Sequence, residues 1–163
     1  MSVIAVKINS DNIEIVADSI LTKGELKRTT NFPKLRRYVN LIVGGCGNAE
    51  ELSLFFEFCC KNSRPLRTIS EVHKYLREFA EYKSEYLGAD VVENEYILIS
   101  GDTVFEVDEM FVQEISDYTA IGEGQPYALA ALALGHTATE AVEVSCKLCC
   151  HTAEPLIRYI QNI

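Results

Sequence analysis

Ser2-Val3-Ile4-Ala5-Val6-Lys7-Ile8, then Asn9-Ser10-Asp11-Asn12, then Ile13-Glu14-Ile15-Val16-Ala17-Asp18, is the stretch from which the fold is argued. Both apolar runs are rich in β-branched residues, and Ser10-Asp11-Asn12 between them is turn chemistry, so the two runs read as a β-hairpin. Antiparallel strands of similar length, each rising about 3.4 Å per residue, bring the end of the second back to the start of the first. Asp18 is therefore expected beside Ser2. The first strand begins one residue after the initiator, so loss of Met1 would set the Ser2 hydroxyl and its α-amine together at the rim of a sheet.

Working outward, the 163 residues make one domain's worth of chain, and a single domain over 1–163 is expected. The composition is 48% hydrophobic and 24% charged, with a mean hydropathy of +0.04. No apolar run approaches the roughly 18 residues of a membrane span, so a soluble globular protein with no membrane partner is expected. Met1-Ser2-Val3-Ile4 lacks the basic and long apolar regions of a secretory signal, which points to the cytoplasm and to reduced cysteines. A net charge of −9 argues against nucleic acid as a partner. The basic cluster from Lys23 to Arg37 reads as a solvated hairpin or loop. The six cysteines, in a reducing compartment, read as small core residues rather than disulfides.

Beyond the Lys23-Gly24-Glu25 break, 34–38 and 39–44 read as short strands with Asn40 near the turn. They end in Gly44-Gly45-Cys46-Gly47-Asn48, where glycine density marks tight turning or close approach. Asn48 can cap the helix that follows, over about 49–61, in which Leu52, Phe55, Phe56 and Cys59 recur at helical spacing. After Arg64-Pro65, Ser70-Glu71 opens a second helix closed by Gly88. The runs 96–100 and 103–107 flank Gly101-Asp102 as a second hairpin, and 112–115 and 118–121 are expected to continue that sheet. A third helix, 127–134, is apolar all round and is expected to be buried. Thr137-x-x-Glu140 is a capping box for a fourth helix through about Cys150, and 155–160 returns as a last strand. Helices in pairs between blocks of antiparallel strands give the class α+β: a four-layer αββα sandwich of two antiparallel sheets flanked by helices.

Several landmarks now stand in order: the strand opened by Ser2; Val16-Ala17-Asp18-Ser19; Lys34-Leu35-Arg36-Arg37; and Gly44-Gly45-Cys46-Gly47 ahead of Leu54-Phe55-Phe56-Glu57-Phe58. Ile99-Ser100-Gly101-Asp102 and the run from Ala120-Ile121-Gly122-Glu123-Gly124 to Ala131 follow. Each is weak alone, but in this order and spacing the chain resembles the β-type subunits of proteasome-like peptidases, closest to the bacterial HslV type, over most of its length. The resemblance implies an N-terminal nucleophile hydrolase that cleaves peptide bonds in a polypeptide substrate without a cofactor. It gives Ser2 the place of the nucleophile, usually Thr, with its freed α-amine as base. It gives Lys34 the task of lowering that amine's pKa, with Asp18 as the carboxylate a buried lysine needs. The oxyanion donor would be a backbone N–H of the Gly45-Cys46-Gly47 turn, most directly that of Gly47. It further implies a homo-oligomeric ring and an ATPase unfoldase as partner.

The chain departs from the pattern at two places. Glu123 stands where the family has a Ser in the Gly-x-Gly step, and Cys149-Cys150-His151 stand where it has an Asp-containing step. Glu123 could accept from the nucleophile's ammonium or cap the following helix. The alternative to a peptidase is thus an inactive proteasome-like binding or scaffold protein. A zinc reading of Cys146, Cys149, Cys150 and His151, taken to share a helix face at the three cysteines, lacks a second ligand pair; core cysteines are favoured and no metal is expected.

Overall fold

The computed structural model of the chain describes residues 2–23, 26–29 and 31–163. Met1 and the Gly24-Glu25 break lie outside the described residues. In chain order the elements are β1 (Ile4–Ile8), β2 (Asn12–Ala17), β3 (Leu21–Lys23), β4 (Leu26–Thr29), β5 (Leu35–Arg37), β6 (Ile42–Cys46), α1 (Ala49–Asn62) and α2 (Ile69–Leu87). Then come β7 (Glu95–Ser100), β8 (Thr103–Asp108), β9 (Phe111–Ile115), β10 (Tyr118–Ile121), α3 (Gln125–Ala133), α4 (Ala138–Leu148) and β11 (Ile157–Asn162). They gather into two compact units: the chain up to Leu35 together with Ser116–Ile163, and Arg36–Ile115.

In the first unit a four-stranded antiparallel sheet runs β10-β1-β2-β11, with β3 and β4 as a separate pair. The opening hairpin has the register Ile4↔Ala17 through Ile8↔Ile13, so Asp18 does return to the start of β1. Val3, Ala5, Val16 and Ala120 pack against Ala128, Ala131 and Leu132 of α3 and Ala138, Ala141 and Val142 of α4. So many alanines let the helices lie close on the sheet. In the second unit a five-stranded sheet runs β5-β6-β7-β8-β9, with α1 and α2. Its core is aromatic: the Phe55 ring centroid lies 4.1 Å from that of Tyr96 and 4.7 Å from that of Phe79, and Phe58 lies 4.9 Å from Tyr75.

Four expectations are corrected. Residues 118–121 do not continue the sheet of 112–115: β10 pairs with β1 in the register Ile4↔Ile121, and the Ile8 N–H donates to the Asp117 carbonyl at 2.7 Å. That choice rests on a partner more than a hundred residues away, which local pattern does not report. Helix α3 is not buried all round; it buries Ala128, Ala131 and Leu132, while Tyr127 and Leu134 are exposed, the latter at 81%. The second helix starts earlier, capped by Thr68, whose side chain and Glu71 form the capping box. Helix α4 stops at Leu148, with Cys149 in an extended conformation, so Cys146, Cys149 and Cys150 do not share a helix face. All six cysteines are free thiols. Burial pushes the Cys59 thiol up to about 12, which keeps it neutral in the core.

A buried carboxylate ties the first unit together near the turn of the opening hairpin. Glu14 of β2 accepts from the Ala138 N–H at 3.1 Å and the Thr139 hydroxyl at 2.7 Å, and meets the Arg158 guanidinium of β11 at 2.8 Å. A negative charge at the first turn of α4 complements the helix dipole. Glu14→Ala is expected to destabilise the protein by about 1–3 kcal/mol, because it orphans buried donors, and Glu14→Gln by less. Urea midpoints at unchanged slope check this.

Candidate active site

Pairing of β1 with β2 delivers Asp18 to the backbone just after Ser2. The Asp18 N–H donates to the Val3 carbonyl at 3.2 Å, and the Val3 N–H donates to Asp18 Oδ1 at 2.8 Å. The same Oδ1 accepts from Lys34 Nζ at 2.7 Å. Oδ2 accepts from the Ile20 N–H at 3.3 Å and the Ala153 N–H at 3.4 Å. The two side chains are 0% and 3% exposed, so this is a buried ion pair with the carboxylate's oxygens shared among one ammonium and three peptide groups. Burying a carboxylate is tolerable only when its lone pairs are met in this way.

The carbonyl of Ser2 is held from the other direction. It accepts from the Gly124 N–H at 3.0 Å. Gly124 approaches so closely that a Cβ there would sit 2.8 Å from Val3 Cβ, 3.0 Å from Thr152 Cγ2 and 3.2 Å from Ser145 Cβ. The Gly124 carbonyl in turn accepts from the Ser145 hydroxyl at 3.0 Å, and the Ser145 carbonyl accepts from the Thr152 hydroxyl at 2.9 Å. Ser2 itself is buried. The peptide group that links Ser2 to Val3 is therefore fixed at both ends, its C=O by Gly124 and its N–H by Asp18. Such fixation sets the backbone from which the Ser2 side chain starts, and Lys34 Nζ meets the same Asp18 oxygen that holds the Val3 N–H. Cys146 borders this cluster; burial first, and the Asp18 charge second, push its thiol up to about 11, so it is a neutral neighbour.

Of the residues singled out in the sequence, Ser2, Asp18, Lys34 and Glu123 belong to the first unit and Gly47 to the second. The structure brings Asp18 and Lys34 together at the peptide that follows Ser2. The N-cap position of α3 is taken by Gly124, next to Glu123. The Glu123 carboxylate lies half-exposed, 3.7 Å from His151 Nε2. Gly47 has φ +127°, and a Cβ there would fall 2.1 Å from Asn94 Oδ1. Sequence reasoning missed Ser145, Thr152 and Asn94. Ser145 left a faint signal, a polar residue on the buried face of α4 with Ala141 and Val142. Among the described residues no cluster of three or more His, Cys, Asp or Glu side chains is set to hold a metal ion. Nor is any helix among them long and apolar enough to cross a membrane.

No protein-family model and no curated protein matches the chain. Solved structures do. Thiobacillus denitrificans BPH in complex with epoxomicin is similar with a TM-score of 0.87 at 17% identity, covering 98% of each chain. A second structure of Thiobacillus denitrificans BPH gives 0.86 at 18% identity, over 98% of this chain and 97% of that one. The eukaryotic HslV from Trypanosoma brucei gives 0.75 at 18% identity, over 99% of both. The chain thus has the α+β fold of HslV-like N-terminal nucleophile peptidases, two antiparallel sheets with four helices, as the resemblance in the sequence implied.

Breaking the buried pair has a predictable cost. Asp18→Ala leaves the Lys34 ammonium and the Val3 N–H without this acceptor and is expected to destabilise by about 3–5 kcal/mol, whereas Asp18→Ala with Lys34→Met recovers a large part of it. A double-mutant cycle in guanidinium chloride checks the coupling. Gly124→Ala, which forces backbone apart from Val3, is expected to cost about 1–3 kcal/mol in the same assay.

Proposed function

We propose that the chain is a proteasome- or HslV-like peptidase subunit that hydrolyses peptide bonds with Ser2 as an N-terminal nucleophile, exposed by removal of Met1. The observation that carries the reading is the Asp18 carboxylate, which binds both Lys34 Nζ at 2.7 Å and the N–H of Val3, the residue after Ser2, at 2.8 Å. In that role the free α-amine takes the Ser2 hydroxyl proton as Oγ attacks the substrate carbonyl. The same amine then passes the proton to the leaving amine of the cleaved bond, and water hydrolyses the resulting ester with the amine again as base. The Lys34 ammonium disfavours a second positive charge close by, so it lowers the pKa of the α-amine and stabilises negative charge growing on Oγ. Asp18 holds the lysine in place. The Gly47 N–H, carried over by resemblance, would donate to the oxyanion. Glu123 is the residue proposed to accept from the ammonium form of Ser2. A homo-oligomeric ring working with an ATPase unfoldase, in the cytoplasm, belongs to the same proposal.

A second reading, a non-hydrolytic scaffold of the same fold, is favoured by one feature: Glu123 and His151 stand together where the family pattern has Ser and Asp.

Intact mass, peptide hydrolysis and epoxomicin labelling separate the two. The expected result is a chain lacking Met1, hydrolysis that falls about 10³-fold or more in Ser2→Ala and Lys34→Met, and a covalent adduct on Ser2. Activity is expected to rise with pH as the amine, with an unperturbed pKa of about 7.7–8.0 lowered by Lys34, loses its proton. Full hydrolysis by a chain that retains Met1 would sink the free-amine mechanism, and no Ser2-dependent hydrolysis would favour the scaffold.

A further inference from the structure

The second unit contains a buried ion pair of its own, Glu51 with Lys83, that the chemistry above does not use. Both side chains are buried, at 1% and 2% exposure. Glu51 Oε2 accepts from Lys83 Nζ at 2.5 Å, and Oε1 accepts from the Tyr96 hydroxyl at 2.9 Å and the Asn94 N–H at 3.0 Å. Both oxygens also accept from the Glu93 N–H, at 3.1 and 3.2 Å. Lys83 Nζ further donates to the Val91 carbonyl at 2.6 Å and lies 3.3 Å from the Glu93 carboxylate. Two charges are thus spent on fixing the 91–94 segment against α1 and α2. Buried pairs seldom improve stability over apolar residues of similar size, so such a fixture asks what it positions.

The answer lies one bond further on. The Asn94 side chain bridges Asn48, accepting from its N–H at 2.6 Å and donating to its carbonyl at 2.9 Å. Asn48 in turn caps α1, accepting from the N–H groups of Glu50 at 2.8 Å and Glu51 at 3.2 Å. Asn94 binds Asn48, Asn48 binds Glu51, and Glu51 binds Asn94, so the three close a ring of hydrogen bonds. Gly47 sits between two fixed points, Cys46 in register with Glu95 on one side and Asn48 on the other. Its φ of +127° lies where side chains are strained, and Asn94 fills the space a side chain would need. An unusual backbone conformation persists only where its surroundings over-determine it.

We infer that Asn94, anchored by the Glu51–Lys83 pair, is a positioning residue that sets the Gly47–Asn48 peptide and through it the direction of the Gly47 N–H. This rests on the peptidase reading, in which that N–H meets the oxyanion. The role differs from a plain structural one in what it touches: oxyanion stabilisation acts in the transition state, so its loss lowers kcat and leaves substrate binding almost unchanged. The two donors to Glu51 also keep their protons as pH rises. Burial lowers the Lys83 pKa, but the hydrogen bond and charge of Glu51, with Glu93, outweigh it and the net shift is upward. Burial, with the Glu51 charge, raises the Tyr96 phenol well above its ordinary range.

The test compares the parent chain with Asn94→Ala and Tyr96→Phe, each checked for its thermal melt, by peptide hydrolysis and by backbone amide exchange over residues 45–50. Asn94→Ala is expected to lower kcat about 10²-fold with KM changed less than about twofold, to leave the pH profile in place, and to speed exchange at Gly47 and Asn48. Tyr96→Phe, which removes one hydroxyl and spares the fold, is expected to move both readouts in the same direction by less. A kcat within about twofold of the parent in folded Asn94→Ala, or a fall carried by KM, would overturn the inference. If Asn94→Ala does not fold, unchanged kcat and exchange in Tyr96→Phe would overturn it. If the parent shows no Ser2-dependent hydrolysis, the peptidase reading fails by itself; exchange then still decides whether Asn94 holds the Gly47 peptide, and unchanged protection refutes it.

Discussion

A single buried carboxylate sets the terms for the first unit. Asp18 is wholly removed from water, and an ion in that position must find its hydration replaced by donors. It finds them in Lys34 and in the N–H groups of Val3, Ile20 and Ala153. Those donors come from the residue before β1, from the chain after β2, from the approach to β5 and from the chain after α4. One unmet lone pair would cost more than a surface contact, so the carboxylate selects the arrangement in which these segments converge. The peptide after Ser2 is among them, so the demand for donors around one buried charge also fixes that peptide.

Glu51 imposes the same logic on the second unit. It too is a buried carboxylate paired with a buried lysine, and it too takes backbone N–H groups, those of Glu93 and Asn94. In both units the ion pair does little that an apolar pair could not do for stability; what it adds is orientation, since hydrogen bonds are directional and van der Waals contact is not. Each carboxylate binds backbone close to a glycine that cannot bear a side chain. Gly124 is pressed against Val3, Thr152 and Ser145, and Gly47 against Asn94. Glycine gives the closeness, and the charged anchor gives the direction.

Legibility followed the range of the interaction. The hairpin of β1 and β2, the cap at Asn48, the capping box at Thr137 and Glu140 and the αL closure at Gly88 are all settled within a few residues, and all could be read. The approach of Asp18 to the start of β1 could be read too, because hairpin geometry is arithmetic. What failed was decided farther away. The strand 118–121 chose β1 over its sequence neighbour, α3 exposed half of an apolar surface, and α4 ended before the cysteines it was expected to carry. The approach of Glu123 to His151, 28 positions along the chain, was equally out of local reach.

By itself, then, the sequence determined the alternation of strand and helix blocks and the hairpin that returns Asp18 to Ser2. It determined these because periodicity, turn chemistry and capping are local properties of a chain. Only the tertiary structure decided which carboxylates are buried and who satisfies them. Nothing near Asn94, Ser145 or Thr152 in the chain marks them as supports, since a hydrogen bond between residues 46 apart leaves no periodic trace. Burial turns such bonds from optional to obligatory, and burial is a property of the folded whole.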